Sequence, residues 1–183
     1  VRQQDVRTVS FAALNDAELD PSVRIRGIGS TVAQDLEPEY IAVSDDSQTA
    51  WVTLQENNAI AIVDLRRAIV RRLVGLGFQD QSLPGFGLDP SDKDDAIAIA
   101  NYPILGMRLP DGIDAFRVRG RQYLITANEG DAREYDALTE EVRCAKLTLD
   151  PEAYPDAEAL QDKAALGRLG CSSIAGDIDG DGD

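Results

Sequence analysis

Glu37-Pro38-Glu39-Tyr40-Ile41-Ala42-Val43, a polar turn, and then Trp51-Val52-Thr53-Leu54-Gln55-Glu56-Asn57 make a phrase that this chain states twice. The second version is Leu109-Pro110-Asp111-Gly112-Ile113-Asp114-Ala115-Phe116, a turn, and Tyr123-Leu124-Ile125-Thr126-Ala127-Asn128-Glu129. In both, a Pro followed by an acid leads into a short apolar strand, a turn reverses it, and the second strand ends in an Asn/Glu cluster. The repeat predicts an all-β chain of antiparallel meander units, each a blade of a radial β fold. Period-two alternation assigns Ile41, Val43, Val52, Leu54, Ile60, Ile62, Ile113, Phe116, Leu124 and Thr126 to the core.

Around the first phrase the pattern completes a blade over residues 29–75. Ser44-Asp45-Asp46-Ser47-Gln48 supplies turn-forming side chains, and Ala59–Leu65 and Ile69–Val74 supply two further strands. Val6–Phe11 and the alternating Val23–Ile28 read as additional strands, and Asn15–Ser22 as one helical turn. Periodicity disappears over residues 76–108, an inserted loop rich in Gly, Pro and Asp in which Ile97–Ala100 reads as a short strand. The loop is either a structured cap or a substrate-facing element. A second blade with insertions is expected over 109–174. Its third strand is placed at Val142–Leu149 after an acidic loop at 130–141, its fourth at Arg168–Ile174, and a brief surface helix at Ala157–Leu166.

A closed propeller needs at least four blades of about 40 to 50 residues each. The 183 residues hold two or three, so the chain reads as part of a single longer β-propeller domain. Val1 is not an initiator and predicts upstream sequence. Open sheet faces and edges predict that such a segment is marginal alone or self-associates.

Composition narrows the function. Lys and Arg total 18 against 33 Asp and Glu, a net charge of −15. This balance disfavours nucleic acid and anionic membranes as partners and favours divalent cations. No apolar run reaches the roughly 18 to 20 residues of a membrane span. There is no His, which removes His-based triads and His zinc sites. Cys144 and Cys171 form no CxxC pair; they read either as a disulfide in an exported protein or as two buried thiols.

Two constellations carry candidate chemistry. Asp177-Ile178-Asp179-Gly180-Asp181-Gly182-Asp183 has the alternating acids of a calcium loop, in which Asp177, Asp179 and Asp181 offer carboxylates and Asp183 its carbonyl. The twelfth position, where a bidentate Glu belongs, falls beyond Asp183. The alternative is a solvated acidic turn. The second constellation is the pair of strand ends Gln55-Glu56-Asn57-Asn58 and Asn128-Glu129-Gly130-Asp131, which a propeller brings to one face. Glu56 and Glu129 there are candidate metal ligands, and Glu129, Asp131 and Arg133 candidate catalytic groups, with Arg133 able to fork onto a phosphate. The competing reading is that these Asn and Glu side chains satisfy turn amides and that Arg133 neutralises the acids.

The runs Asp35–Ser44, Ala50–Ala59, Phe78–Gly85, Leu88–Asp92, Thr126-Ala127-Asn128-Glu129-Gly130-Asp131-Ala132-Arg133-Glu134-Tyr135 and Gly176–Asp183 resemble the choice-of-anchor I family of bacterial surface and secreted proteins. The resemblance covers about nine tenths of the chain. It implies a YVTN or WD40-like β-propeller, exported and tethered by one of several C-terminal anchors. The expected function is a non-enzymatic extracellular or periplasmic module for binding or adhesion to an extracellular ligand, stabilised by calcium. Some relatives carry an alkaline-phosphatase-like name, so the alternative is a metal-dependent phosphoric ester hydrolase.

Overall fold

The computed structural model describes residues 2–26 and 29–176. They divide into two compact units, Val1–Phe78 with Met107–Asp131, and Gln79–Gly106 with Ala132–Asp183. All strand pairs are antiparallel. No sheet closes into a barrel or propeller among the described residues.

The first unit is built on a four-stranded meander, β1 (Ile41–Val43), β2 (Thr49–Leu54), β3 (Ala59–Asp64) and β4 (Ile69–Gly75), in sequential order. Before it run two short 3₁₀ turns and α1 (Val32–Asp35). Trp51 pairs with Ala42 on one side and Ile62 on the other, so the alternation of β2 fixes both faces of the sheet. One face carries Ala50, Val52, Leu54, Ala61 and Val63, covered by Val23, Leu36 and half-buried Val9, Phe11 and Leu14. The opposite face carries Ala42, Trp51 and Ile60, packed against Ile113, Ala115 and Leu124.

Those last three residues belong to a long hairpin later in the sequence. Its strands β7 (Pro110–Val118) and β8 (Arg121–Asn128) form a two-stranded sheet around the loop Arg119-Gly120. Both loop residues have positive φ, 50° and 80°, as the twist-matched two-residue turn requires.

The turn from β2 to β3 ties these layers together. Asn58 adopts φ 52°, which an Asn side chain tolerates, and its N–H donates to the Gln55 carbonyl at 2.8 Å. Asn57 and Asn58 are both fully buried. Asn57 Nδ2 donates to the Arg24 and Asp35 carbonyls at 2.8 and 3.1 Å, and its Oδ1 accepts the Glu37 N–H at 3.0 Å. Asn58 Nδ2 donates to the Ser22 and Gly77 carbonyls at 3.1 and 3.0 Å, and its Oδ1 accepts the N–H groups of Arg108 and Leu109 at 3.0 and 3.3 Å. Two amide side chains thus satisfy the backbone of four separate segments. Close packing at the same end leaves no room for a side chain at Gly75, where a Cβ would run into Ser22 and Asp20.

In the second unit the regular pieces are small. They are β5 (Gln79–Asp80) with β6 (Leu105–Gly106), β9 (Glu134–Tyr135) with β10 (Leu138–Thr139), and β11 (Glu141–Arg143) with β12 (Gly170–Ser172), plus the four-residue α2 (Ala157–Leu160). Cys144 and Cys171 are disulfide-bonded with Cα atoms 5.4 Å apart. The chain-entropy model gives such a loop about 3 to 4 kcal/mol. Gln161 Nε2 binds the Cys144 and Leu147 carbonyls at 2.8 and 2.7 Å, which anchors α2 beside the bridge.

The first meander and the β7–β8 hairpin match the reading of the repeat, but several strands differ. Val6–Phe11 and the described part of Val23–Ile28 are not strands; they are irregular backbone whose Val9, Phe11 and Val23 pack on the sheet, with Ser22 and Arg24 held by Asn58 and Asn57. Ile97–Ala100 is exposed, and its one ladder contact is a bridge from Ala100 to Leu88. Val142 pairs with Cys171, and no strand of the Val142–Leu149 segment joins β8. Ile41, Val43 and Phe116 were assigned to the core but are exposed. Ile41 and Val43 share the face of Val52 but sit on the edge strand, past its cover, and Phe116 points to the outer face of the hairpin. Ile62 is only half-buried.

Asn57→Ala is expected to destabilise the chain by on the order of 3 kcal/mol or more, because several buried backbone groups lose their partner at once. Urea unfolding followed by Trp51 fluorescence measures it. Arg66→Ala, at an exposed position, should stay within about 0.5 kcal/mol of the parent. Equal midpoints for the two variants would refute the role given to this turn.

Candidate functional site

Glu56 precedes the two buried asparagines, so the turn that fixes them also fixes its position. Arg24 Nη1 donates to the Glu56 carbonyl at 2.9 Å. The Glu56 carboxyl is buried and shares a hydrogen bond with Glu39, while Asp111 and Glu37 add negative charge nearby. Gln55, 2% exposed, lies beside the pair. Oriented so that both ends of its amide are satisfied, its Nε2 donates to Glu39 Oε2 at 2.9 Å and its Oε1 accepts the Asp131 N–H at 3.1 Å. In the opposite orientation Nε2 reaches Glu129 Oε2 at 3.4 Å. Gln55 therefore joins both strand ends of the repeat.

The cluster follows the repeated phrase residue by residue. Glu39 and Asp111 are the acids after Pro38 and Pro110, and Glu56 and Glu129 are the acids at the ends of the second strands. Sequence reasoning singled out the second pair and passed over the first. The signal was present in the Pro-acid dipeptides.

Electrostatics raise the Glu39 carboxyl. Glu39 is exposed as a residue, yet partial desolvation of its carboxyl, followed by the charges of Glu56 and Asp111, lifts it to about 7. A carboxyl raised this far is partly protonated near neutral pH, which lessens the repulsion within the cluster. Among the described residues no group of three or more His, Cys, Asp or Glu side chains is arranged to hold a metal ion. Asp177, Asp179, Asp181 and Asp183 lie outside the described residues.

Glu129 and Asp131 belong to the first unit and Arg133 to the second. The Arg133 guanidinium is buried against Glu140, with Nη1 3.6 Å from Oε2. The Arg133 N–H donates to the same oxygen at 3.4 Å, the Glu140 N–H donates to the Arg133 carbonyl at 3.0 Å, and the Ser172 hydroxyl donates to Glu140 Oε1 at 2.7 Å. Glu140 was invisible to sequence reasoning, since nothing in its spacing marks it as the partner of Arg133. An arginine enclosed in this way holds a loop to β12; it does not present a fork to solvent.

The profile of the choice-of-anchor I domain matches residues 1–183. The chain belongs to the choice-of-anchor I domain family. No curated protein and no solved structure matches it. The carboxyl cluster is what this member of the choice-of-anchor I family builds at the strand ends of its repeat.

A raised carboxyl makes stability depend on pH in a defined direction. The folded chain holds the Glu39 proton more tightly than the unfolded chain, whose carboxyl titrates near its ordinary 4.5. The stabilisation is complete below about pH 4.5 and is lost as pH rises through about 7. Asp92, held down to about 2 by its hydrogen bond to Arg168, acts in the opposite direction and at lower pH. Glu39→Gln should flatten the decline between pH 5 and 7.5, read from urea midpoints across about that range. Parallel curves for parent and variant would contradict the raised Glu39 carboxyl.

Proposed function

We propose that this chain is a non-enzymatic extracellular or periplasmic binding module of propeller type, stabilised by calcium. The observation that carries this reading is the burial of Arg133 against Glu140. Arg133, the arginine that a phosphate-ester chemistry would have used beside Glu129 and Asp131, is committed to structure. The disulfide between Cys144 and Cys171 supports an oxidising compartment, and hence export. The family supports a surface role. No helix among the described residues is long and apolar enough to cross a membrane.

Calcium enters this reading from the sequence alone, through Asp177, Asp179, Asp181 and the Asp183 carbonyl. The competing reading, a metal-dependent phosphoric ester hydrolase, draws on Glu129 and Asp131 and on the raised Glu39 carboxyl beside Glu56. A carboxyl that titrates near neutrality is suited to general acid–base work.

One pair of assays separates the readings. Calorimetric titration with calcium should give a millimolar-range isotherm, as in extracellular modules, about 10⁻⁴ to 10⁻³ M, that Asp179→Ala abolishes. Hydrolysis of an aryl phosphate should stay at the blank rate with and without calcium. Turnover that is lost in Glu129→Ala would replace the binding reading with the enzymatic one, and identical calcium isotherms for parent and Asp179→Ala would remove the metal site.

A further inference from the structure

The β7–β8 hairpin has one face packed on the meander and one face bare. Ile113, Ala115 and Leu124 face inward, while Phe116, Val118, Tyr123 and Ile125 stand exposed, with Phe116 and Tyr123 stacked at 5.7 Å between ring centroids. Ile125, at 60% exposed, is the barest of these. Among the described residues β8 has no strand neighbour besides β7.

Register determines which backbone groups meet that open edge. The two-residue turn makes Val118 and Arg121 a hydrogen-bonded pair, so the bonded pairs alternate onward at Phe116 with Tyr123 and Asp114 with Ile125. The N–H and C=O groups of Gln122, Leu124 and Thr126 consequently point away from β7. An eight-residue edge of this kind, with an apolar stripe beside it, is a template for another strand.

Charge selects the strand. β8 begins at Arg121, its last residue is followed at once by Glu129, and both side chains are exposed. Turned through 180° about Ile125, β8 is complementary to itself. Arg121 falls opposite Glu129, Tyr123 opposite Ala127, and Leu124 opposite Thr126, and the outward-pointing backbone groups of Leu124 and Thr126 meet as a bonded pair. No shift by one residue does this, because it would oppose outward groups with inward ones.

We propose that two copies of this chain associate by pairing their β8 strands antiparallel about a two-fold axis at Ile125, with reciprocal Arg121–Glu129 ion pairs at the two ends. The contact is isologous and closes at the dimer, and it covers Tyr123 and Ile125 on both copies. It does not rest on the calcium or binding reading, although its Glu129 also borders Gln55 at the strand ends.

Sedimentation velocity of the whole chain between about 1 and 200 μM tests this, and the parent should show a concentration-dependent dimer. Arg121→Glu sets like charges opposite each other twice and should weaken the dimer about 10-fold or more. The swap Arg121→Glu with Glu129→Arg should restore it. Thr126→Pro removes an outward N–H without touching the β7 ladder and should leave a folded monomer by circular dichroism. If that variant misfolds, the charge pair and its swap decide alone. A parent that stays monomeric throughout reserves the edge for a strand of different sequence and overturns the proposal. A dimer indifferent to Arg121→Glu, or one that the swap fails to restore, overturns it as well.

Discussion

Everything in the first unit depends on the buried amides of Asn57 and Asn58. The segments they hold, around Ser22–Arg24, Asp35–Glu37, Gly77 and Arg108–Leu109, lie tens of residues apart, and three of them have no ladder of their own to satisfy their polar groups. Burying that backbone would be prohibitive without these partners, since each orphaned group costs about 1 to 3 kcal/mol. The two side chains act as a clamp on which the N-terminal cover and the β7–β8 hairpin close from opposite faces of one sheet. A polar network of this kind is all or nothing, because a half-satisfied version is worse than an apolar one.

The carboxyl cluster is a consequence of the same turn. The clamp fixes the backbone on either side of Glu56, so that residue cannot swing away from Glu39, and the repeat brings Asp111 and Glu129 to the same neighbourhood. Like charges concentrated there raise the Glu39 carboxyl toward neutrality, and the Gln55 amide bonds within the cluster in either orientation. The cluster is thereby sensitive to acidity near neutral pH, a property that follows from its geometry whatever ligand the domain meets.

How far the sequence could be read follows from how local the deciding interactions are. The β1–β4 meander was legible because each strand pairs with its neighbour in sequence across a short turn rich in Ser, Asp or Asn. Alternation then told which residues share a face, but not how far that face is covered, and so Ile41, Val43 and Phe116 were misplaced. Asn57 and Asn58 were legible as turn-satisfying groups because the residue type permits little else at a buried strand end. The pairing of Val142 with Cys171 and of Arg133 with Glu140 was not, because neither leaves a periodic trace.

The two units differ in what holds them. The first buries a continuous set of apolar side chains on both faces of a sheet. In the second, Cys144 and Leu166 are the buried apolar side chains among the described residues, and their strands are two or three residues long. An assembly with so little core cannot offset its ordering entropy by burial alone. Its fold is fixed by discrete ties: the Cys144–Cys171 disulfide, the enclosed Arg133–Glu140 pair, and the Arg168–Asp92 bond at 2.9 Å. An exposed ion pair such as the last contributes little to stability. An enclosed one is strongly destabilising to break yet gives modest net gain to form, so Arg133–Glu140 acts mainly to exclude other arrangements of the loop between β8 and β11. Of these ties the covalent bridge carries the largest expected stabilisation, about 3 to 4 kcal/mol, and the arginine that most resembled a catalytic clamp in the sequence is enclosed as a structural tie.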